Sequence, residues 1–226
     1  MPLLSVIVPV YNEEKTIQRI LEAVNSVDID KEVIIVDDGS EDGTARILRG
    51  INQPNLKAVF HGTNKGKGAA ILTGLNAANG EFAIIQDADL EYDPSEYPKL
   101  MKVIKETGAD IVLGARFMNE RHGLALHRFG NFFVTGLINL LFNVRLNDSY
   151  TCYKLFRIES VKRLDLKETR FNIEIEIVVK AIKNKLKIAE VPINYYPRSH
   201  MQGKKIYVSD GVWGAVKIIK YRLGGN

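Results

Sequence analysis

The sequence predicts an α/β fold in which helices cover both faces of a mostly parallel, Rossmann-like sheet. Two observations predict this class. Short, unbroken apolar runs alternate with segments of helical periodicity through the first half of the chain, and several of these runs end in clusters of polar residues. Unbroken apolar strands are typical of a sheet buried on both faces, and strands that alternate with helices are typical of parallel connections.

The first strand and the first helix are predicted close to the N-terminus. Residues 5–10 form an apolar run typical of a buried strand. In the segment that follows, apolar residues recur at helical spacing, at Ile17, Ile20, Leu21 and Val24. We expect Asn12, which precedes this periodic segment, to cap the helix.

Four further strands are predicted at residues 32–38, 56–60, 82–86 and 110–117, with helical segments between them. Ligands of such folds bind at the carboxyl ends of the strands. The segments PVYNEE, VDDGSEDGT and QDADLE stand at three of these ends, and all three are polar. We therefore expect a ligand site where these segments meet.

Composition limits the class of protein. With 226 residues and 46% hydrophobic residues, the chain is long enough for one domain with a sizeable core. The net charge of +4 suits anionic ligands, but the basic residues are spread along the chain, so we expect no nucleic-acid partner. The single cysteine and the absence of a signal-peptide pattern predict an intracellular location, and no apolar run is long enough to cross a bilayer.

Four carboxylates follow the fourth predicted strand at alternating positions: Asp87, Asp89, Glu91 and Asp93. Asp93 fits the start of a helix, as a cap followed by Pro94 and by a Glu96 that reaches back. Asp93 is therefore interpreted as structural.

Asp87 and Asp89 cap nothing in the pattern, and two like charges so close together favour a cation between them. Hard carboxylate oxygens favour Mg²⁺ or Mn²⁺ as the bound ion. Phosphates of the ligand and water then complete the coordination shell of the ion. A solvated acidic loop is the alternative. Glu91 stays open between a metal ligand and a surface charge.

Competing motifs fail. A calcium loop that began at Asp87 would need Gly at Tyr92 and Glu at Pro98. Residues 62–70 are glycine-rich but lack the spacing of a P-loop or of a dinucleotide fingerprint. In this turn Lys65 and Lys67 either face an anion at the start of a helix or are solvated.

Taken in order, the segments VIVPVYNEE, VDDGSEDGT, NKGKGAAILTGL and QDADLEYDP resemble the nucleotide-sugar domain of family 2 inverting glycosyltransferases, which have the GT-A fold. The resemblance covers roughly residues 4–117. It implies that a divalent cation, Mg²⁺ or Mn²⁺, is held by Asp87 and Asp89 on the donor diphosphate, where positive charge stabilises the leaving group. The predicted donor contacts are Pro9, Tyr11, Glu13, Asp37, Asp38, Lys67, Asp87, Ala88 and Asp89.

The second half, with GARF, TCYKLFR, FNIEIEI, EVPINYYPRS and GKKI, resembles the polyprenol-phosphate sugar transferases, such as dolichol-phosphate mannosyltransferase and dolichol-phosphate glucosyltransferase. The resemblance then extends to about residue 223. It implies Arg116 and Arg128 near the acceptor phosphate, Arg198 and Lys204 near the donor diphosphate, and Glu91 as a third metal ligand.

This resemblance predicts one glycosyltransferase domain over residues 1–226, with a donor half at 1–117 and an acceptor half at 118–226. The donor is GDP-mannose or UDP-glucose, and the acceptor is a polyprenyl or dolichyl phosphate. We expect peripheral association with the cytoplasmic face of a membrane, with or without a membrane-anchored partner subunit.

The chemistry of the acceptor leaves alternatives open. A phosphate monoester, whose second pKa is about 6, attacks without a general base, and arginine binds it bidentately. A sugar hydroxyl needs a carboxylate base, for which Asp148, Glu174 and Glu176 are candidates. At least one of the two glutamates is expected to be only a polar position on a helix whose apolar residues help pack the core. A third alternative is a nucleotide-sugar-binding subunit without catalytic activity.

Two helical segments are candidates for lipid contact. In residues 131–144, large apolar residues surround a polar side made of Asn131, Thr135, Gly136, Asn139 and Asn143. Residues 208–223 combine Trp213 with apolar and basic residues. Both patterns suit a bilayer interface, whereas the alternatives are a buried or dimer-interface helix for the first segment and a docked terminal helix for the second.

Overall fold

The computed structural model describes residues 1–118, 125–197 and 208–224, with side chains except at 125–129 and 208–212. Within these ranges seven strands form one sheet in the order β3-β2-β1-β4-β6-β5-β7. Neighbouring strands are parallel, except that β6 runs antiparallel to both β4 and β5. The strands are β1 (Leu4–Val10), β2 (Lys31–Asp37), β3 (Leu56–Phe60), β4 (Phe82–Ile85), β5 (Ile111–Ala115), β6 (Lys154–Arg157) and β7 (Ile188–Pro192).

Helices connect the strands and cover the sheet on both faces. They are α1 (Ile17–Ser26), α2 (Thr44–Arg49), α3 (Lys67–Ala77), α4 (Tyr97–Thr107), α5 (Ala125–Phe142), α6 (Ile158–Lys162), α7 (Ile173–Lys183) and α8 (Val208–Arg222), with a short 3₁₀ helix at Pro94–Glu96. Alternate residues of β1 point to opposite faces, so Val6 and Val8 pack with α1 and α4, whereas Ile7 packs with α3 and α7. The predicted fold class is therefore confirmed.

A third apolar cluster lies beyond the helix layer. Helix α7 packs against the sheet through Ile173 and Ile177, and it also presents Ile175 and Val179 on its other side. Those two residues pack with α5 and α8, which contribute Val134, Ile138, Ile218 and Tyr221. Helices α5 and α8 therefore form an outer layer that packs on α7.

The five predicted strands are present with bounds that shift by at most two residues, whereas β6 and β7 had not been predicted. The predicted cap of α1 is wrong. Thr16 precedes the helix, and Asn12 stands at a φ of 55°, with its side-chain oxygen accepting a hydrogen bond from the Glu41 N–H at 2.8 Å. Asn12 thus joins the loop after β1 to the loop after β2.

Pro9 lies inside a central strand because β1 is longer than its neighbour β4. The carbonyl of Ile7 accepts from the Gln86 N–H at 2.9 Å, so the backbone of residue 7 faces β4. Pro9, two residues further on, faces the same side, but the pairing of β1 with β4 ends at Ile7 and Ile85. Proline has no N–H to donate, so it stands just beyond the last paired residue of this ladder.

Candidate active site

The loops that follow β1, β2 and β4 meet at one edge of the sheet. Val10 pairs with Asp37 across β1 and β2, and β4 ends beside them. The Asn12 N–H donates to Ser40 Oγ at 2.9 Å, and the Glu13 N–H donates to Thr44 Oγ1 at 2.9 Å. Because the carboxyl ends of parallel strands coincide, the polar segments of the sequence come together as predicted.

A cleft of about 400 Å³ opens beside the carboxyl ends of β2 and β3. Its lining includes Asp37, Arg49, Phe60 and His61. Arg49 stacks on the Phe60 ring, with its guanidinium carbon 4.9 Å from the ring centre. Of the predicted donor residues that the structure describes, Asp37 alone lines this cleft. The cleft combines a flat aromatic and cationic wall with a buried carboxylate.

Three other predicted donor residues belong to β1 and the loop after it. Pro9 is buried in the strand, and Tyr11 and Glu13 are half-buried in the loop. A Glu13 carboxylate oxygen accepts from Thr16 Oγ1 at 2.7 Å. This contact orders the start of α1.

Asp38 has a structural contact that the sequence did not reveal. Its two carboxylate oxygens accept from the backbone N–H groups of Lys65 and Gly66, at 2.9 and 2.7 Å, and one of them also lies 2.7 Å from His61 Nδ1. The predicted anion at the glycine-rich turn is therefore Asp38 of the protein itself. Gly66 stands at a φ of 101°, and a Cβ there would lie 2.4 Å from the Thr169 carbonyl oxygen, so this turn requires glycine.

Lys67, the first residue of α3, pairs with Asp87 at the end of β4. Its ammonium lies 2.7 Å from Asp87 Oδ1 and 3.2 Å from Glu174 Oε1, and the other oxygen of Glu174 lies 2.5 Å from Lys154 Nζ. Lys154 and Glu174 are almost fully buried. Two lysines and two carboxylates therefore alternate beneath the predicted metal site.

Burial and charge act in opposite directions in this network. Burial alone would lower the pKa of Lys67, but Asp87 and Glu174 raise that pKa well above its ordinary value. Burial alone would raise the pKa of Glu174, but Lys154 and Lys67 lower it below its ordinary value. Lys67 and Glu174 are therefore both charged at neutral pH.

Asp89 lies two residues beyond Asp87, and the Ala88 side chain between them is buried. Asp89 Oδ1 accepts from the Glu91 N–H at 3.1 Å across Leu90, which has a φ of 64°. Two partly exposed carboxylates at a strand end fit Mg²⁺ or Mn²⁺, which takes a few carboxylates and completes its shell with phosphates and water. Asp87 and Asp89 are thus the residues that could hold a cation.

Glu91, the third predicted ligand, contacts two tyrosines. Its Oε2 accepts from the Tyr195 hydroxyl at 2.5 Å, and its carbonyl accepts from the Tyr196 N–H at 3.0 Å. In the part of the chain that the structure describes, no three His, Cys, Asp or Glu side chains are grouped so that they could bind a metal ion. In the described residues Glu91 is engaged by Tyr195, and its role as a third metal ligand stays a prediction.

Arg116 follows β5 and is held by Asp148. Its Nε and Nη2 donate to the two carboxylate oxygens of Asp148 at 2.8 and 2.9 Å, and its backbone N–H donates to the same side chain at 3.0 Å. Nη2 also lies 3.3 Å from Asn131 Oδ1 of α5. Burial alone would lower the pKa of Arg116, but Asp148 raises it well above its ordinary value. The other predicted basic contacts, the side chain of Arg128 and residues Arg198 and Lys204, lie outside the described part of the structure.

The three candidate general bases are all buried and paired. Asp148 binds Arg116, and Glu174 binds Lys154 and Lys67. Glu176 accepts from the N–H groups of residues 167 and 168 and pairs with Lys180 at 2.9 Å. Both glutamates are more than polar positions of the helix, since each is buried and neutralises a buried lysine.

Helix α5 turns much of its polar side inward. Asn131 contacts Arg116, Thr135 Oγ1 lies 2.9 Å from Ser149 Oγ, and Asn139 exchanges two hydrogen bonds with the backbone of Leu146. Gly136 and Asn143, from the same predicted polar side, are exposed. The alternative of a fully buried helix is wrong, because Phe132 and Leu140 are 76% and 80% exposed.

Seven large apolar side chains on and next to α5 and α8 face outward, and we call them the outward apolar set. They are Phe132, Phe133, Leu140, Trp213, Val216, Ile219 and Leu223. The inner side of α8 is tied to the protein by Lys217, which lies 2.5 Å from Glu168. No helix in the three described ranges has both the length and the apolar character needed to cross a bilayer.

Several site residues were missed from the sequence. Lys154 carried no signal, because a lysine within a short apolar run is ordinarily read as exposed. His61 and Tyr195 also carried none, since each acts through a partner more than 20 positions away in the chain. The two adjacent tyrosines of the EVPINYYPRS segment are visible in the sequence, but nothing in that segment indicates that Tyr195 contacts Glu91.

Comparison with known proteins agrees with this geometry. The model of the family "Glycosyl transferase family 2" matches residues 5–165. The chain is 32% identical over 238 aligned residues to dolichyl-phosphate beta-glucosyltransferase ALG5A of Trichomonas vaginalis, covering 97% of this chain and 73% of that protein. It is 28% identical to the UDP-N-acetylglucosamine–dolichyl-phosphate N-acetylglucosaminyltransferase of Methanococcus voltae, covering 96% of each chain.

A solved structure supports the fold. Glucosyl-3-phosphoglycerate synthase from Mycobacterium tuberculosis, crystallised with Mg²⁺ and uridine diphosphate, superposes with a TM-score of 0.73 at 19% identity, covering 100% of this chain and 80% of that one. The sheet order, the polar strand ends and the family match together lead to one conclusion. The chain belongs to glycosyl transferase family 2 and is a glycosyltransferase with the GT-A fold.

Proposed function

We propose that this protein transfers a hexose from a nucleotide diphosphate sugar, GDP-mannose or UDP-glucose, to a polyprenyl or dolichyl phosphate, with inversion at the anomeric carbon. One observation carries the proposal. Helix α5 exposes Phe132 and Phe133 on its outer side, while its inner residue Asn131 contacts Arg116. A surface suited to an isoprenoid chain and a cation suited to a phosphate thus lie on and next to the same helix.

On the donor side, Asp37 and the adjacent cleft would receive the nucleoside. The stacked Arg49 and Phe60 provide a flat wall for a base, and Asp37 provides a carboxylate for hydrogen-bond donors. Asp38 is left out of the proposed contacts because its carboxylate holds the turn at residues 65–66. Arg198 and Lys204 remain proposed diphosphate contacts on the resemblance alone.

Asp87 and Asp89 would hold Mg²⁺ or Mn²⁺ on the donor diphosphate. When bound, such a cation supplies positive charge for the departing nucleotide. The protein's own part is to orient these two carboxylates at the end of β4. Buried Ala88 and the hydrogen bond from the Glu91 N–H to Asp89 fix the loop that carries them.

On the acceptor side, an ionised phosphate oxygen would attack the anomeric carbon while Arg116 and Arg128 orient the phosphate. No general base is needed, because the second pKa of a phosphate monoester is about 6. The pairing of Asp148, Glu174 and Glu176 with cations supports this choice over a hydroxyl acceptor, because a general base must reach the proton of the acceptor and these three carboxylates are buried and paired within the protein.

The outward apolar set would place the protein on a membrane surface, where the acceptor lipid resides. Exposed Lys220 and Arg222 on α8 suit anionic headgroups beside Trp213. We propose peripheral association through α5 and α8, alone or together with a membrane-anchored partner subunit.

The test is a transfer assay with purified protein and Mg²⁺ or Mn²⁺. A panel of radiolabelled GDP- and UDP-sugars is offered with a short polyprenyl phosphate, and label is followed into the organic phase. The matched control acceptor is the same prenol without its phosphate. We expect one donor to label the lipid phosphate and no donor to label the free prenol.

Other outcomes would change the proposal in defined ways. Label on a saccharide but not on lipid phosphate would replace the acceptor by a hydroxyl and keep the donor side. If no donor releases nucleotide under any of these conditions, the proposed donors are wrong.

A further inference from the structure

The buried network beneath Asp87 has one carboxylate oxygen that differs from the others. Glu174 Oε1 is buried and receives no hydrogen bond from the residues that the structure describes, although Lys67 Nζ lies 3.2 Å away. Buried carboxylate oxygens ordinarily accept hydrogen bonds, and one that does not is expected to have a functional reason. The Lys67 ammonium instead donates to Asp87, 3.0 Å from Oδ2.

Lys67 has few alternatives to these two carboxylates. Its side chain is 12% exposed. Lys67 is the first residue of α3 and directly follows Gly66, which packs tightly against the Thr169 carbonyl. The Ala69 N–H donates to that same carbonyl at 3.0 Å, so the backbone on both sides of Lys67 is held in place. The ammonium therefore stays between Asp87 and Glu174.

A divalent cation on Asp87 changes the balance of charge. Without it, the charges of Lys67 and Lys154 equal those of Asp87 and Glu174, so the network is neutral. A cation bound by Asp87 would repel the neighbouring ammonium, because both would share one carboxylate. The Lys67 ammonium would then pair with another anion, and Glu174 Oε1 is the adjacent acceptor.

We propose that Glu174 is a positioning residue that sets the affinity of Asp87 for a divalent cation by receiving the Lys67 ammonium. This inference rests on the cation site in the proposed function but requires neither the proposed donor nor the proposed acceptor. Glu174 does not touch the cation in this proposal. It acts only through Lys67.

The test measures binding of Mn²⁺ alone to the purified full chain, from the electron paramagnetic resonance signal of free Mn²⁺. Wild type should bind one Mn²⁺ that Asp87→Asn abolishes. Glu174→Gln removes the anion that receives the Lys67 ammonium, so the dissociation constant of this variant for Mn²⁺ should be about tenfold higher than that of wild type. Lys67→Met removes the competing cation, so this variant should bind Mn²⁺ at least as tightly as wild type.

The double variant separates an action through Lys67 from a long-range effect of charge. In the Lys67→Met background, Glu174→Gln should change the dissociation constant by less than about threefold. An equal factor in both backgrounds would overturn the proposal, as would an unchanged constant in Glu174→Gln. Loss of Mn²⁺ binding in Lys67→Met would also overturn it, and this arm stands even if Glu174→Gln does not fold.

Glu176→Gln is the matched control. Glu176 is as buried as Glu174, lies two residues further along α7 and pairs with Lys180 instead. It should lose stability without a change in Mn²⁺ affinity. Absence of Mn²⁺ binding by wild type at millimolar concentration would overturn the inference, whereas failure of sugar transfer in the separate assay would overturn only the proposed function.

Discussion

The two ion pairs on either side of the site differ in how completely they are closed. On the side proposed to bind the acceptor, Arg116 donates to both oxygens of Asp148 and adds a backbone hydrogen bond, and Asp148 is fully buried. On the side proposed to bind the donor, the Lys67 ammonium is shared between Asp87 and Glu174. A closed pair holds two segments together, whereas a shared cation leaves the carboxylates able to change partners. The rigid pair of Arg116 with Asp148 and the exchangeable pairing of Lys67 thus lie on opposite sides of one site.

The largest expected effect tests the donor side. Asp89→Ala should lower the turnover number for sugar transfer by at least about a hundredfold, because the carboxylate that would hold a cation at the leaving group is lost. The measurement is the rate of lipid labelling, with circular dichroism to verify the fold.

Asp93→Ala is the control for that variant, since Asp93 belongs to the same acidic run but caps the 3₁₀ helix through the Ser95 N–H at 2.9 Å. It should cost about 1 kcal/mol of stability and leave transfer intact. Equal loss of transfer in both variants would show that the acidic segment acts only as a structural loop.

The second prediction compares the two ion pairs directly. Asp148→Ala leaves Arg116 as an unpaired buried charge and should lower the free energy of unfolding by about 3–5 kcal/mol. Lys67→Met should cost only about 1 kcal/mol, because water reaches the partly exposed Asp87 and Lys154 still neutralises Glu174. Urea unfolding of the two variants measures the difference. Similar losses would remove the distinction between a closed and a shared pair.

The third prediction concerns the outer helices on the acceptor side. Replacing both Phe132 and Phe133 by Ser should lower binding to anionic lipid vesicles about tenfold or more, because two large apolar side chains no longer enter the bilayer. Stability should change by less than about 0.5 kcal/mol, since both side chains are exposed. Vesicle co-sedimentation gives the first quantity and urea unfolding the second.

The control is Lys102→Ser, an exposed substitution on α4, which packs on the sheet face away from α5 and α8. Its vesicle binding should equal that of wild type. Undiminished binding by the double phenylalanine variant would mean that α5 does not meet the membrane.

The smallest effect is a dependence on pH. The pKa of Glu174 is lowered in the folded protein, so its ionised form contributes stability above the unfolded value of about 4.3. That contribution is lost as the pH falls through the folded value. The difference in unfolding free energy between wild type and Glu174→Gln should therefore narrow below about pH 4. Urea unfolding at neutral and acidic pH measures it, and a difference that widens with acid would contradict the lowered pKa.

The donor side was largely predictable from the sequence because its order is local. Each strand is a short apolar run, and the chain itself places Asp37 and Asp87 at or just beyond the end of such a run. Parallel pairing then brings these ends together without any further information. The cap at Asp93 was predictable for the same reason, although Glu96, expected to reach back, instead accepts from Asn194 at 2.8 Å.

The acceptor side was less predictable because its order is tertiary. Strand β6 is a four-residue run that begins with the fully buried Lys154, and the charge of this lysine is neutralised by Glu174, which is distant in the sequence. The polar residues of α5 point inward because Ser149 and Leu146 offer hydrogen-bond partners there. An amphipathic pattern gives the two sides of a helix but does not indicate which side faces the protein.

Outward apolar side chains on α5 and α8 also affect how this protein behaves during purification. In aqueous buffer, other copies of the protein are the most available cover for these side chains, and exposed apolar patches are a common origin of self-association. Purified samples should therefore become turbid or form larger species as their concentration rises. A mild detergent that covers the same helices should keep them dispersed, so the choice of detergent belongs to the first steps of handling this enzyme.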